Sequence, residues 1–483
     1  MQIHASSRSR SRLRCDICVI GAGSAGLTVA AGAAQMGART VLVEAGRMGG
    51  DCLNTGCVPS KALIAAAKVA QSLQAANRFT TQPSAANFEF RKVHAYVRGA
   101  IAKIAPHDSV EHFTALGCTV IKSQAHFLDR RTLEAGDRQI RARRFVIATG
   151  NRPAVPPIAG IADLPYFTNE NLFENSSLPA HLLIIGAGPI GCEMAQAHRR
   201  LGSEVTVLDL GPILPKDDPE AAAAIRRVFQ DEGIDLVERA RITRAEARNS
   251  GVALALSGNG GERWIEGSHL LIATGRRPNL DDLRLDAAGV RYGKKGVEVD
   301  GRLRTTNRRI FAAGDVVGSY QFTHLAGYHA TIVLRNALFH LPARVDLRVL
   351  PWVTFTDPEL AQVGLTEAHA RDIHGGGVRI LRADFSDNGR AQTDDAAVGF
   401  LKVIAARRGK VLGATMVGPH AGELIQLWGF AIAQGLTIAA TAKMIAPYPT
   451  LGEINRQAAG KFYAPILFGP RTRLLVRLLG LFG

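Results

Sequence analysis

One motif occurs twice in the 483-residue chain, and its repetition restricts the fold more than any other feature. Cys15-Asp16-Ile17-Cys18-Val19-Ile20 reads as a buried strand and runs into Gly21-Ala22-Gly23-Ser24-Ala25-Gly26. An Ala-rich helix follows to about Met36, then a strand, Thr40 to Val43, that ends at Glu44. A lone G-x-G-x-x-G carries little weight, but a strand before it, a helix after it and an acid about 20 residues on mark a dinucleotide-binding βαβ unit. The glycines allow the turn and the close approach of a pyrophosphate, the helix N-terminus faces the phosphates, and Glu44 can hold a ribose diol. The unit recurs as Leu182–Ile185, Gly186-Ala187-Gly188-Pro189-Ile190-Gly191, a helix through Ala195 to Leu201 and a strand, Val205 to Leu208, ending at Asp209. Two such folds imply two dinucleotides. Asp209 suits a free ribose hydroxyl and repels a 2′-phosphate, and no Arg cluster follows it closely, so NADH is preferred over NADPH.

Between the repeats lies Gly49-Gly50-Asp51-Cys52-Leu53-Asn54-Thr55-Gly56-Cys57-Val58-Pro59-Ser60-Lys61. Cys52 and Cys57 can close a small disulfide ring on a segment that becomes helix-forming at Ser60-Lys61. A helix N-terminus stabilises a thiolate, so the pair reads as redox-active. The alternative, a structural disulfide of a secreted protein, fits poorly with a strained four-residue loop and with six cysteines in all. Cys15-x-x-Cys18 falls in a strand, where residues three apart point to opposite faces, and reads as core.

Length predicts two to four domains. With 47% apolar and 21% charged residues the chain is an ordinary globular one, which excludes a disordered protein. The net charge of +16 raises nucleic acid as a partner. Lys and Arg cluster only at the two ends, however, without interleaved aromatics, so a field for anionic dinucleotides and disordered basic tails are expected, and nucleic acid is not. Residues 1–14 carry Arg8, Arg10, Arg12 and Arg14 but no apolar run, which argues against a secretory signal and leaves an organelle-targeting peptide as the alternative. A cytoplasmic location is expected, and no metal-ligating cluster is.

Ala148-Thr149-Gly150, Ala273-Thr274-Gly275 and Phe311-Ala312-Ala313-Gly314-Asp315 each close a strand. Ligands gather at such strand ends, so these are further walls of the cofactor sites. From Val349 the pattern becomes α+β, with strands near Val353–Thr356, Val378–Phe385, Gly399–Ala406 and Lys410–Val417. The uncharged stretch Leu424 to Ala442 is broken at Gly435-Leu436-Thr437 and predicts two packed helices, not a membrane span. Arg471 to Phe482 reads as a basic amphipathic helix that packs on the chain itself, with weak contact to a membrane surface as the alternative.

These motifs, in this order from Cys15 to about Lys461, resemble the class I pyridine nucleotide–disulfide oxidoreductases, the family of dihydrolipoyl dehydrogenase, glutathione reductase and mercuric reductase. The resemblance implies two Rossmann-like α/β domains, for FAD and NAD(P), plus a C-terminal α+β dimerisation domain in a homodimer. The expected boundaries are 1–155 (FAD and redox disulfide), 156–279 (NAD(P)), 280–348 (return to the FAD/central domain), 349–470 (dimerisation) and 471–483 (tail). It implies that Gly21, Gly23, Gly26 and Glu44 hold the ADP half of FAD, Ala125 the adenine, and Thr149, Gly150 and Asp315 the middle of the molecule. Lys61 would sit near the flavin, paired with Glu193, while Gly186, Gly188, Gly191, Asp209 and Gly275 hold NAD(P)H. Cys57 would face the flavin as a thiolate, and Cys52 would be the interchange thiol that meets substrate.

One departure matters. The disulfide-reducing members carry His-Pro-Thr-x-x-Glu near the C-terminus, where this chain has Tyr448-Pro449-Thr450-Leu451-Gly452-Glu453. A phenol, with an ordinary pKa of about 10, is a poor base at neutral pH. Mercuric reductases resemble this chain in having the tyrosine, but they also carry a C-terminal cysteine pair, and no cysteine follows Cys192 here. The expected function is therefore electron transfer through Cys52–Cys57 to a metal ion or other electrophile. The alternatives are dihydrolipoyl dehydrogenase activity and, in another class, a basic flavoprotein acting as a binding module. His340 and His420 read as ordinary histidines.

Overall fold

A computed structural model describes residues 11–79, 88–249, 251–258 and 261–482. They belong to two compact units. One comprises Met1–Ala180, Arg244–Ala253 and Glu266–Val345; the other comprises His181–Thr243, Leu254–Ile265 and Asp346–Gly483.

In the first unit, β1 (Ser11–Ile20), α1 (Ser24–Gln35) and β2 (Thr40–Glu44) form the expected βαβ start, followed by α2 (Gly50–Asn54) and α3 (Cys57–Ala76). β3 (Cys118–Lys122), β4 (Ala125–Asp129), β5 (Thr132–Ala135) and β6 (Arg138–Ile147) complete a sheet of order β3-β2-β1-β6-β5-β4. β1 is parallel to both β2 and β6, with Ile17 opposite Thr40 and Ile20 opposite Ile147. The strand Ile310–Ala312 also joins β6, in parallel, beside Phe145–Ile147. The expected basic N-terminal tail is partly strand: Ser11 to Arg14 pair with Arg138 to Arg141, because the ten-residue β6 offers partners along its whole length. Arg8 and Arg10 lie outside the described residues.

Cys15 and Cys18 do not point to opposite faces. Both belong to the buried cluster with Phe145 and Ile147, while Ile17 packs on the other side. The amides of Asp16 and Ile17 both donate to Arg39 O, at 2.9 and 3.3 Å, so two residues oppose one and the side-chain alternation is interrupted between the cysteines.

In the second unit, His181–Ile185, Pro189–Leu201, Glu204–Leu208 and Asp235–Val237 repeat the pattern with three parallel strands. The C-terminal sheet has the order Pro351–Thr354, Glu359–Gly364, Val411–Gly418, Phe400–Ala406, Val378–Asp384, all antiparallel. Four of these strands match the sequence reading within two residues. The fifth, Glu359–Gly364, escaped it because its buried run carries Gln362, fully enclosed and bonded to Thr415. After the short helix Ala421–Leu424, the uncharged stretch forms Gln426–Ala433 and Ile438–Ala442, which bury Trp428, Ala431 and Ile438, with Gly435 turning between them at φ +63°. Among the described residues no helix is long and apolar enough to cross a membrane.

The C-terminal helix, Pro470–Leu479, differs from the expectation of packing: none of its residues is buried. The preceding helix, Glu453–Leu467, buries Ile454, Ala458, Ala459 and Phe462, and from Pro465 to Phe468 the chain is already exposed.

Candidate active site

The backbone makes the first site before any side chain does. Gly21 has φ +104°, and a Cβ on Gly26 would lie 1.8 Å from Gly21 O, so these two glycines are required by the turn itself. At Gly23 the nearest atom to such a Cβ is Gly50 Cα at 3.8 Å, and at Gly150 nothing lies within 4 Å. These two positions leave backbone open to a ligand at the N-terminus of α1. Glu44, at the end of β2, accepts from Ala22 N through one carboxylate oxygen and from Gly46 N through the other, both at 2.5 Å. Thr149 donates to Asn279 O at 2.7 Å, Asn279 returns a bond to Thr149 O at 3.0 Å, and Ala125 opens β4 in a buried position. Burial pushes the Asp315 carboxyl up to about 6, against the pull of Arg276. A glycine cradle at a helix N-terminus, an acid at the end of the second strand and a walled strand end fit the ADP and pyrophosphate of FAD.

The second unit repeats this geometry. Gly186 has φ +113°, a Cβ on Gly191 would lie 1.9 Å from Gly186 O, and Gly188 has nothing within 4 Å. Asp209 accepts from Ala187 N at 2.6 Å and Gly211 N at 2.7 Å, as Glu44 does in its own turn. This fits a second dinucleotide. Gly275, at φ +127°, belongs to the first unit, where its carbonyl accepts from Ala154 N at 2.9 Å.

Cys57 is the first residue of the 20-residue helix α3, three residues earlier than the sequence reading placed the helix. Cys52 lies in the short helix α2. Both are free thiols, Cys57 exposed and Cys52 half-buried. Cys57 Sγ is 3.2 Å from Thr323 Oγ1, and Cys52 makes side-chain hydrogen-bonding contact with Cys57, Thr323 and Ser24. Ser24, Cys57 and Thr323 each begin a helix, so three helix N-termini converge on the sulfurs and favour a thiolate there. The hydrogen bond from Cys52 brings the Cys57 thiol down to about 6, with Thr323 and the Lys61 charge helping. Cys52 is pushed well up by that same bond and by burial. The pair therefore shares one proton, which resides on Cys52.

Sequence reasoning missed three groups here. Ser24 falls at a variable position of the first glycine motif, which gives it no signal of its own. Thr323 opens Thr323–Ala337 eight residues after Asp315, and its only signal was a helix-starting threonine. Asp51 accepts from Thr55 at 2.6 Å and Asn169 at 2.7 Å, and lies 2.7 Å from Arg276 Nη2. That last contact is an ion pair by distance, although the nitrogen makes no well-aligned hydrogen bond.

Glu193 is buried in the second unit and accepts from Phe355 N at 2.9 Å. Tyr448 is 75% exposed. Its Oη lies 2.9 Å from where a Cβ on Gly389 would be, so the ring occupies the space that glycine leaves. Glu453 is 3.4 Å from Arg456 Nη2 and opens the final core helix. His340 and His420 are both exposed.

Residues 15–330 match the family described as pyridine nucleotide-disulphide oxidoreductase, and residues 350–459 match that family's dimerisation domain. A mercuric reductase of Streptomyces lividans is 36% identical over 462 residues, covering 93% of this chain and 97% of that protein. A dihydrolipoyl dehydrogenase of Geobacillus stearothermophilus is 34% identical over 462 residues, covering 92% and 96%. Among solved structures, a Cu(II) complex of the HOCl-induced flavoprotein disulfide reductase RclA from Escherichia coli superposes with a TM-score of 0.82 at 28% identity, covering 91% of this chain and 98% of that one. LpdA from Mycobacterium tuberculosis gives 0.84 at 28% identity, covering 93% and 99%. The dimerisation domain supports a homodimer. With the two glycine cradles and the paired thiols in place, these matches settle the assignment: the chain belongs to the FAD- and NAD(P)H-dependent pyridine nucleotide-disulphide oxidoreductases.

Proposed function

We propose that this oxidoreductase passes electrons from NADH through the Cys52–Cys57 pair to a thiophilic metal ion or a similar electrophile. FAD, when bound, supplies the two-electron relay between nicotinamide and dithiol. Gly21, Gly23, Gly26, Glu44, Ala125, Thr149, Gly150 and Asp315 would hold it, with Lys61 beside it. Gly186, Gly188, Gly191 and Asp209 would hold NADH. Cys57 would be the thiolate next to the flavin and Cys52 the thiol that meets substrate.

The observation that carries the choice of acceptor is the state of the expected acid–base pair. Tyr448 stands where a disulfide-reducing member has histidine, and Glu453 lies near Arg456. Reducing a disulfide requires a proton to be handed to the leaving thiol, and a phenol is poorly matched to that exchange near neutral pH. A divalent metal ion bound across the two sulfurs instead displaces the Cys52 proton by its own charge, as coordinated thiols are deprotonated outright. Overall, NADH and Hg(II) would give NAD+, a proton and Hg(0). The other cysteines, at 15, 18, 118 and 192, are buried, so such an ion meets Cys52 and Cys57 first. Similarity to mercuric reductases, and to a flavoprotein solved as a Cu(II) complex, supports this reading.

Dihydrolipoyl dehydrogenase activity is the second reading, favoured by the 34% identity to that enzyme. Tyr448→Phe and Tyr448→His separate the two. On the metal reading, Tyr448→Phe slows turnover with a Hg(II)–thiol complex and Tyr448→His does not improve it. Unchanged metal turnover in Tyr448→Phe would remove Tyr448 from the mechanism, and lipoamide turnover by the unaltered enzyme would favour the second reading.

A further inference from the structure

A group of arginines lies where the sheet of the first unit changes partners. On one side of β6, Arg138–Arg141 pair with β5, and Phe145–Ile147 pair with Ile310–Ala312. Among the described residues, no strand pairs with Ala142 to Arg144 on that side. A cavity of about 370 Å3 at this place is lined by Arg144, Arg304, Arg308, Arg309, Asn336 and His340, with Phe311 as its apolar wall.

The arginines are held from the backbone. Phe145 N donates to Arg309 O at 3.0 Å, which puts Arg144 and Arg309 on adjoining strands. Asp300 Oδ1 accepts from the backbone amides of Arg302 at 2.8 Å and Arg304 at 3.0 Å. Among the described residues, none of the four lining guanidiniums has a carboxylate within ion-pair distance. Burial lowers the Arg144 pKa, and the neighbouring charges of Arg309, Arg143 and Arg304 lower it further. Asn336 is 1% exposed, and its Nδ2 is used by the carbonyls of Ile332 at 2.9 Å and Ala343 at 2.8 Å, and of Arg302 at 3.3 Å. Its Oδ1 is buried with no hydrogen-bond partner.

Four guanidiniums call for an oligoanion, since arginine forks match phosphate oxygens. A buried amide oxygen calls for a donor, because leaving it unpaired forfeits the hydrogen bond it had with water. We propose that this cavity is a binding site for a small phosphate anion that carries a hydroxyl, the phosphate facing the arginines and the hydroxyl donating to Asn336. Inorganic hydrogenphosphate and the phosphate monoester of a polyol share this chemistry. Sulfate has the charge and size of hydrogenphosphate without its proton.

The test uses the FAD-loaded enzyme without NADH, titrated calorimetrically at fixed ionic strength with inorganic phosphate, sulfate and glycerol 3-phosphate. The expected result is one saturable phosphate site per chain, at least about tenfold tighter than for sulfate, which is the discrimination expected from one unpaired buried polar group. Tighter binding of glycerol 3-phosphate than of phosphate would identify the ester as the ligand, and the reverse would identify the free ion. Arg304→Gln/Arg309→Gln should abolish this site and leave NADH turnover intact. The single variant Arg308→Gln, at an exposed position, should weaken it about tenfold or more without touching the fold. No saturable site, equal binding of sulfate, or full binding by the double variant would overturn the proposal. So would a single-stranded oligonucleotide that displaces phosphate and binds with a steep salt dependence, since the cavity would then be part of a nucleic-acid surface.

Discussion

Cys57 draws its chemistry from position more than from residue type. It begins a long helix, accepts a hydrogen bond from Cys52 and sits 3.2 Å from the Thr323 hydroxyl. A thiol so lowered, to about 6, is mostly thiolate above that pH, so alkylation of the reduced enzyme should rise through pH 6 and level off by pH 7. Cys52→Ala removes the largest influence, and the alkylation midpoint should move up by about one to two units, the equivalent of one charge-assisted hydrogen bond. A midpoint unchanged in that variant would mean that the helix ends alone set it. Asp209 also acts through its position. Its carboxylate is fixed by two backbone amides at the end of a strand, so Asp209→Ser should raise the NADPH-to-NADH ratio of kcat/KM about tenfold or more; no change would separate Asp209 from nucleotide choice.

At the scale of elements, the two βαβ turns are superimposable in logic but separable in consequence. Gly26→Ala drives a methyl into Gly21 O, and Gly191→Ala drives one into Gly186 O, each an overpacking that costs about 1–3 kcal/mol or more. The first variant should purify colourless and the second should keep its flavin while losing NADH oxidation. If both lost flavin equally, the assignment of the two turns to different dinucleotides would fail. The helix Pro470–Leu479 buries nothing, so ending the chain after Phe468 should leave the melting temperature and flavin reduction unchanged, as for surface changes worth no more than about 0.5 kcal/mol. A marked loss would show that the helix is covered in the assembled protein.

These elements also show why some of the molecule was readable in advance and some was not. The glycine turns could be read because a backbone requirement admits one residue type, and the acids at Glu44 and Asp209 because a fixed strand length places them. Thr323 could not, since its partner is 266 residues away and nothing local distinguishes it from any helix-starting threonine. Glu359–Gly364 was hidden because a buried Gln362–Thr415 bond breaks the apolar run. The Cys15–Cys18 relation was misread because a bulge depends on the neighbouring strand. The arginine cavity was invisible for the same reason: it depends on which strand leaves β6 and which one joins it.

For the whole molecule, the family assignment gives an FAD- and NAD(P)H-dependent oxidoreductase, and the proposed route of electrons through the dithiol leads to an acceptor that turnover can identify. The direct measurement is steady-state NADH oxidation by the flavin-loaded enzyme from pH 6 to 9, with lipoamide and with a Hg(II)–thiol complex as alternative acceptors. The expected result is sustained, multiple-turnover oxidation with Hg(II), abolished in Cys52→Ala and Cys57→Ala, and no appreciable turnover with lipoamide at any pH in that range. Rapid lipoamide turnover, with Hg(II) consuming one equivalent and then stopping, would contradict it.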